Sequence, residues 1–295
     1  MSAHRGLLGL AAFLLACLGF APQVHADGSL HTLWELHGQR NTVYLLGSIH
    51  VLRPGDYPLA QPVLDAYARS SALVMEVDLD DLAKPETAAD LLAESRLPEG
   101  KTLPAVLGEQ RYARASTLAR DAGAELAAFD GFAPWFAAEA VSQLQLAKLG
   151  FTPESGVEMY FLGKAHEDGK GVTGLETVHD QLSLFGQLSL DTQADYLLAS
   201  LEEAHALPSE VNALVNAWKH GDMRWFENEL QQEFGNDPRL YESLITGRNR
   251  KWVPKIEALL TGDRNALVIV GTGHLVGRGS VIELLKKDGI GATQK

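Results

Sequence analysis

Two apolar segments, one near each end of the chain, each lead through a glycine to a histidine three residues later. Residues 42–47 precede His50, and residues 266–271 precede His274. Short apolar runs closed by a glycine are typical of buried strands, and the glycine lets the backbone turn sharply onto a short loop. We therefore expect two strands from opposite halves of the chain, each of which delivers a histidine.

The first of these strands is followed by a second one, through a helix. Pro62 suits the first turn of a helix, and residues 72–75 form an apolar run that ends at Glu76. Strands joined through a helix lie parallel in one sheet. His50 and Glu76 should therefore lie at the carboxyl edge of that sheet, where open α/β sheets bind ligands.

A further strand over residues 172–175 ends in Glu176, and the region up to residue 262 has a helical pattern. We predict an α/β fold, with α+β as an open alternative: a small central mixed sheet flanked by many helices. The order His50, Glu76, Glu176, His274 predicts two pseudo-symmetric halves that share one site. Residues 33–36 and 42–46 should form a hairpin, residues 281–287 a closing helix, and the last few residues a frayed end.

The first 26 residues have the pattern of a secretory signal, with an apolar stretch after Arg5 and a small residue, Ala26, at its end. We predict a signal peptide over residues 1–26 and one domain over residues 27–295, with a retained membrane anchor as the alternative. After cleavage we expect no stable membrane span. The protein would then be periplasmic or secreted, and the loss of Cys17, the only cysteine, would exclude thiolate chemistry.

The chain of 295 residues carries a formal net charge of -13 and has no basic block. This composition excludes nucleic acid as a partner. Two imidazoles and two carboxylates at one sheet edge suit a divalent metal such as Zn, Mn or Co. An open coordination position would activate a bound water, and Glu76 or Glu176 would serve as the general base.

Two of these residues, His50 and Glu76, also have a structural alternative. His50 could be a turn histidine whose ring satisfies backbone groups. Glu76 lies in a buried strand, where a carboxylate must be paired or coordinated, and a salt bridge from Arg248 would also satisfy it. The residues alone leave these alternatives open.

Several motifs, taken in order, resemble the TraB/GumN family across nearly all of the chain after residue 26. They are Leu45-Leu46-Gly47-Ser48-Ile49-His50, Met75-Glu76-Val77-Asp78, Pro134-Trp135, Gly156-Val157-Glu158, Gly174-Leu175-Glu176-Thr177, Arg248-Asn249 and Gly271-Thr272-Gly273-His274. That family resembles the extracellular Tiki proteins, which are viewed as metal-dependent proteases that need both histidines and a glutamate. The resemblance implies His50, His274 and Glu76 as metal ligands, and Glu76, Glu176 and Arg248 as catalytic residues. We assign no catalytic role to Glu158.

The resulting prediction is a metal-dependent hydrolase that acts on a peptide or protein in the periplasm or outside the cell. The competing prediction is an envelope protein without catalysis that binds a peptide, a metal or a tetrapyrrole. An accessory role in polysaccharide production is a third possibility, which rests on the family name.

Overall fold

A computed structural model of the chain describes residues 30–204, 206–235 and 238–295. The predicted signal peptide, with Cys17 and the cleavage point at Ala26, lies outside the described residues, so export stays a prediction. Within the described ranges, no helix has the length and apolar character that crossing a membrane requires.

The described residues form one mixed sheet with six strands, and their order across the sheet is β4-β3-β5-β2-β1-β6. β4, β3, β5 and β2 run parallel, whereas β1 and β6 are antiparallel to their neighbours. The strands are β1 (Leu33–His37), β2 (Thr42–Ser48), β3 (Ala72–Met75), β4 (Gly171–Gly174), β5 (Ala266–Gly271) and β6 (Ala292–Gln294). The predicted mixed α/β class and the β1–β2 hairpin are confirmed.

Helices account for most of the rest of the described chain. They are α1 (Gln61–Arg69), α2 (Leu79–Leu82), α3 (Pro85–Glu94), α4 (Leu103–Asp121), α5 (Pro134–Lys148), α6 (Val157–Asp168), α7 (Val178–Gly186), α8 (Leu190–Glu203), α9 (Leu207–Lys219), α10 (Met223–Phe234), α11 (Pro238–Tyr241), α12 (Gly247–Leu260) and α13 (Val281–Lys287). A π-helical turn, Glu242–Thr246, leads into α12, and a 3-10 turn, Thr272–His274, follows β5.

β5 lies in the centre of the sheet, between β2 and β3, although it comes from the far end of the chain. Every residue of β5 is buried, which matches its uninterrupted apolar sequence. β2 and β3 are parallel, as predicted, but each pairs with β5 and not with the other. The two halves of the chain are thus interleaved in one sheet, and strands from both halves end at the same edge.

A close approach at the ends of β2 and β5 explains the glycine in the first Gly-x-x-His segment. A methyl group added to Gly47 would lie 2.9 Å from Thr272 Oγ1. The missing side chain thus lets the turn after β5 pack directly on β2. In addition, Thr272 Oγ1 donates to the Ser48 carbonyl at 3.0 Å, which ties the two turns together.

The last residues of the chain are not frayed, contrary to the expectation. Ala292–Gln294 form β6, which pairs antiparallel with β1. Gln294 Nε2 also donates to the His31 carbonyl at 2.9 Å. A strand of three residues is too short to give a readable alternation of apolar and polar side chains, so the pairing was missed.

Candidate functional site

The carboxyl ends of β2, β3 and β5 bring His50, Glu76 and His274 together around Gly271. A methyl group added to that glycine would lie 3.3 Å from Glu76 Oε1, 3.7 Å from His274 Cδ2 and 3.8 Å from His50 Nε2. The backbone of β5 thus forms the floor between the three side chains. The two Gly-x-x-His histidines and the strand-end glutamate converge as the sequence predicts.

Arg248, on α12, lies at the centre of the polar groups and donates all five of its N–H groups. Nη2 donates to Glu76 Oε2 and to Glu176 Oε1, each at 2.5 Å, and Nε donates to Glu176. Nη1 donates to the Leu244 carbonyl at 3.2 Å and to His274 Nε2 at 3.0 Å. The salt bridge from Arg248 to Glu76, the structural alternative for that glutamate, is present. A guanidinium with every donor engaged has none left for a ligand.

The side chain of Glu176 is linked to those of Glu76 and His274 through its hydrogen bonds with Arg248. Its second oxygen accepts from Trp252 Nε1 at 3.1 Å, and the Trp252 ring lies under the guanidinium, 4.6 Å from its central carbon. Burial raises the pKa of Glu176 and outweighs the opposing effect of Arg248. Both carboxylate oxygens are engaged, so Glu176 is placed to hold Arg248 in position.

Glu76 stays ionised well below neutral pH. Burial alone would raise its pKa, but the charge of Arg248, together with the two histidines and the backbone N–H of Gly271, holds that pKa well below its usual range. The Gly271 N–H donates to Oε1 at 2.7 Å, and Gln181 Nε2 donates to Oε2 at 3.0 Å. Oε1 therefore keeps acceptor capacity on the side of the histidines.

His50 is held by Glu158, a residue to which the sequence analysis gave no role. His50 Nδ1 lies 2.7 Å from Glu158 Oε1, which also accepts a short hydrogen bond from the Ser48 hydroxyl. In this arrangement Nδ1 carries a proton and donates it, so that in the neutral ring Nε2 has a free lone pair. The His50 side chain is 40% exposed and that of Glu158 only 11%, so the ring is accessible while its carboxylate partner is buried.

The start of α6 places Glu158 against His50 because Gly156 has no side chain. A methyl group added to Gly156 would lie 2.1 Å from the His50 carbonyl oxygen, a distance that only glycine permits. Val157 N–H donates to the Ile49 carbonyl at 3.1 Å across the same contact. In the sequence, the contact between Glu158 and His50 is indicated only by Gly156, two residues before Glu158. A glycine at that position also fits an ordinary helix start.

The charge of Glu158 controls the protonation of His50. Burial would lower the pKa of His50, but the Glu158 carboxylate, with Glu76 behind it, outweighs this effect and raises that pKa to about 9. Glu158 in turn has its pKa lowered: burial opposes ionisation, whereas His50 and the Ser48 hydroxyl favour it. Its second oxygen is buried and has no hydrogen-bond partner among the described residues.

His274 is the electrostatic opposite of His50. Its Nε2 accepts from Arg248, so Nδ1 carries the proton and donates to Asn249 Oδ1 at 2.7 Å. Burial and the adjacent guanidinium lower the pKa of His274 to about 3. One histidine of the pair is thus held neutral while the other readily accepts a proton.

His50 and His274, two of the three predicted metal ligands, each donate from Nδ1 to a side-chain oxygen. Histidines that bind a metal through Nε2 usually make this kind of hydrogen bond. However, the His274 Nε2 lone pair is taken by Arg248, and in the described part of the chain no three His, Asp or Glu side chains are spaced to hold a metal ion. The arrangement therefore does not fit a three-residue metal site.

We expect the stability difference between the wild type and a His274→Gln variant to narrow as the pH falls from 6.5 to 4. The folded-state pKa of His274 is about 3, below the unfolded value, so the unfolded chain takes up a proton that the folded protein refuses. The free energy of unfolding of the wild type therefore falls by about 1.4 kcal/mol for each pH unit below the unfolded-state pKa, whereas the glutamine of the variant does not titrate. Urea unfolding at several pH values, with EDTA present, measures the difference. A difference that stays constant with pH would contradict the buried neutral state.

A cavity of about 470 Å³ opens over these residues. His50, Glu76, Glu158, Arg248 and His274 lie on its floor. Its walls carry mainly apolar side chains from α2, α7, α10 and the π-helical turn. Concave apolar pockets of this size with a few convergent polar groups are typical ligand sites.

Comparison with known proteins shows what the chain as a whole is similar to. The model of the TraB/PrgY/gumN family matches residues 32–294. The chain is 25% identical to the uncharacterized protein YbaP of Shigella flexneri and to that of Escherichia coli K12, over 85% of this chain and 90% of each relative. It is 21% identical to an uncharacterized protein of Treponema pallidum, over 86% of this chain and 80% of that protein. No solved structure matches.

Proposed function

Because the chain belongs to the TraB/PrgY/gumN family, and the curated relatives it matches are uncharacterized proteins, we propose its function from the chemistry of the site. We propose a hydrolase that cleaves an ester or amide bond, with His50 as the proton acceptor. One observation carries this proposal: a buried carboxylate, Glu158, orients a partly exposed histidine whose other ring nitrogen faces the cavity. A base oriented by a third group is the usual arrangement for activating a nucleophile.

In the proposed reaction, His50 Nε2 takes a proton from a water molecule as its oxygen attacks the carbonyl carbon of the substrate. The proton then passes from Nε2 to the leaving oxygen or nitrogen as its bond to carbon breaks. Glu158 keeps Nδ1 protonated and stabilises the imidazolium between the two steps, a role that a buried carboxylate fulfils in other hydrolases. The negative charge of Glu76 adds to this stabilisation.

The two other predicted catalytic residues receive a different role in this proposal. Arg248 has no free N–H group, and both oxygens of Glu176 accept hydrogen bonds. We therefore propose that they act as positioning residues, which hold Glu76 and His274 in place, and that neither touches the substrate.

A divalent metal, Mn, Co or Zn, remains a separate proposal that rests on the family resemblance and on the anchored Nδ1 atoms. His50 Nε2 and Glu76 Oε1 are the donors that face each other across Gly271, and His274 would join them only if Arg248 released its Nε2. A bound metal would supply an activated water and polarise the substrate carbonyl. The peptide substrate and the periplasmic location likewise stay proposals.

The proposed function is tested by incubating the purified protein with p-nitrophenyl esters and peptide p-nitroanilides, once with EDTA and once with added Mn²⁺, Co²⁺ or Zn²⁺. We expect product release with EDTA present, because no step of the proposed reaction uses a metal. A requirement for an added metal would contradict the metal-free reaction and would support the metal-dependent form. The absence of hydrolysis under every condition would contradict the proposal.

A further inference from the structure

The cavity above the site has walls that suit a flexible apolar chain. Leu182, Leu184 and Phe185, on α7, are each only half-buried although they line it, and Leu244 and Ile245 face them from the π-helical turn. Half-buried apolar side chains around a concave space leave apolar surface that a ligand would remove from water. The walls thus offer binding energy to a hydrocarbon group.

Polar side chains are confined to a few places among the described residues that line the cavity. Apart from the floor, they are Ser48, which donates to Glu158, Gln181, which donates to Glu76, and Glu139, which accepts a short hydrogen bond from Tyr196. Burial raises the pKa of Glu139 to about 7, against the effect of that hydrogen bond, so this carboxyl group is mostly uncharged only below neutral pH. None of these groups presents a fixed positive charge to an incoming ligand.

Apolar surface also continues from the cavity to the outside. Leu82 and Met159 line the cavity, yet they are 40% and 41% exposed. Exposed apolar surface that adjoins a pocket is typical of a site where a ligand binds. A substrate whose chain extends beyond the cavity would contact both side chains at the mouth.

The charges on the floor select against an anionic head group. Glu76 and Glu158 face the cavity and Glu176 lies behind them, whereas the donors of Arg248 are all engaged within the protein. His50, whose pKa is raised to about 9, carries a positive charge near neutral pH, but its ion pair with Glu158 balances that charge, so the carboxylates of the floor still outnumber its cations. A free carboxylate or phosphate on the ligand would meet excess negative charge with no guanidinium group free to bind it. A neutral ester or amide carries no such cost.

The same walls fit an extended peptide less well. A bound peptide strand pairs its backbone with an exposed sheet edge or with a row of polar groups. The outer strands of the sheet, β4 and β6, contribute no residue to the cavity lining, and helix side chains form most of its walls.

We infer that the cavity binds an uncharged alkyl chain of the substrate, so that the substrates are neutral acyl esters or amides. This inference rests on the proposed function for the cleavage step, whereas the binding step stands on the cavity alone. The walls hold the chain, and the floor holds the carbonyl group beside His50.

The cleavage step is tested with p-nitrophenyl esters of increasing acyl length, from acetyl to dodecanoyl. We expect kcat/KM to rise up to about fourfold per added methylene until the cavity is filled. In a Leu182→Lys variant, whose new side chain enters the cavity, the rise of kcat/KM with acyl length should disappear. Leu92→Lys, which replaces an exposed leucine outside the cavity, is the matched control and should keep the rise. If Leu182→Lys fails to fold by circular dichroism, Leu82→Lys at the mouth replaces it.

The binding step is tested separately with two fluorescent probes, the neutral N-phenyl-1-naphthylamine and the anionic 1-anilinonaphthalene-8-sulfonate. We expect the neutral probe to bind the wild type and the Leu92→Lys control, and its affinity to fall at least tenfold in Leu182→Lys. The wild type should bind the neutral probe more tightly than the anionic one. Binding without any hydrolysis would uphold the cavity assignment and overturn the proposed function. Any of three results would overturn the inference. They are equal rates for all acyl lengths, tighter binding of the anionic probe, and faster cleavage of apolar peptide anilides than of long-chain esters.

Discussion

Replacement of Arg248 by methionine is expected to lower the free energy of unfolding by about 3–5 kcal/mol, a large part of the total for a natural domain. The reason is that the variant leaves Glu76 and Glu176 buried without their shared partner. Uncompensated buried charge costs more than the ion pair itself contributes. The midpoint of urea unfolding, followed by circular dichroism, measures the loss.

Arg250→Met is the matched control, because that arginine lies two residues further along α12 and forms an exposed ion pair with Glu242. We expect it to cost less than about 1 kcal/mol. A triple variant that combines Arg248→Met with Glu76→Gln and Glu176→Gln should recover part of the lost stability, since no charge is then left unpaired. Equal losses for the two single arginine variants would show that Arg248 is not the charge on which the site depends.

The His50→Gln variant is expected to lose about 10²–10⁴-fold in kcat/KM for ester cleavage, the usual contribution of a general base. Its fold should be retained, since the side chain is 40% exposed. His37→Gln, at an exposed position on β1, is the control and should leave the rate unchanged. A His50→Gln variant that keeps its activity would remove this residue from the reaction.

The pH profile separates a chemical role of Glu158 from a structural one. A base must be neutral to accept a proton, so kcat/KM of the wild type should rise with pH and level off near the pKa of His50, about 9. Glu158→Gln removes the charge that raises that pKa, and the profile should level off at a lower pH. Glu158→Asp keeps the charge and should keep the profile. A damaged fold would lower the rate without moving the profile.

The convergence of His50, Glu76 and His274 was predictable from the sequence because it depends on local patterns. An apolar run with a glycine at its end marks a buried strand, and parallel strands end at one edge of a sheet. The helix that begins near Pro62 likewise followed from a proline that suits the first turn, and the closing helix at residues 281–287 was also predicted. Each of these features is encoded within a few neighbouring residues.

The remaining features depend on contacts between distant parts of the chain. The position of β5 between β2 and β3 depends on how the strands pair across the sheet. The pattern of apolar residues along a single strand does not reveal that pairing. Glu158 at the start of a helix looks like a favourable dipole interaction, and only the close approach of Gly156 to His50 gives it another role. The engagement of every Arg248 donor depends on partners from four separate parts of the folded chain, which no local pattern reveals.

The central place of β5 has a consequence for the order of events as the chain is made. β2 and β3 are synthesised first, but each pairs with β5 and not with the other, so the sheet cannot close until residues 266–271 have emerged. His50 and Glu76 stay apart during that interval, and the late pairing of distant segments slows folding. The site of the proposed reaction would therefore form only after the β5 segment has been synthesised.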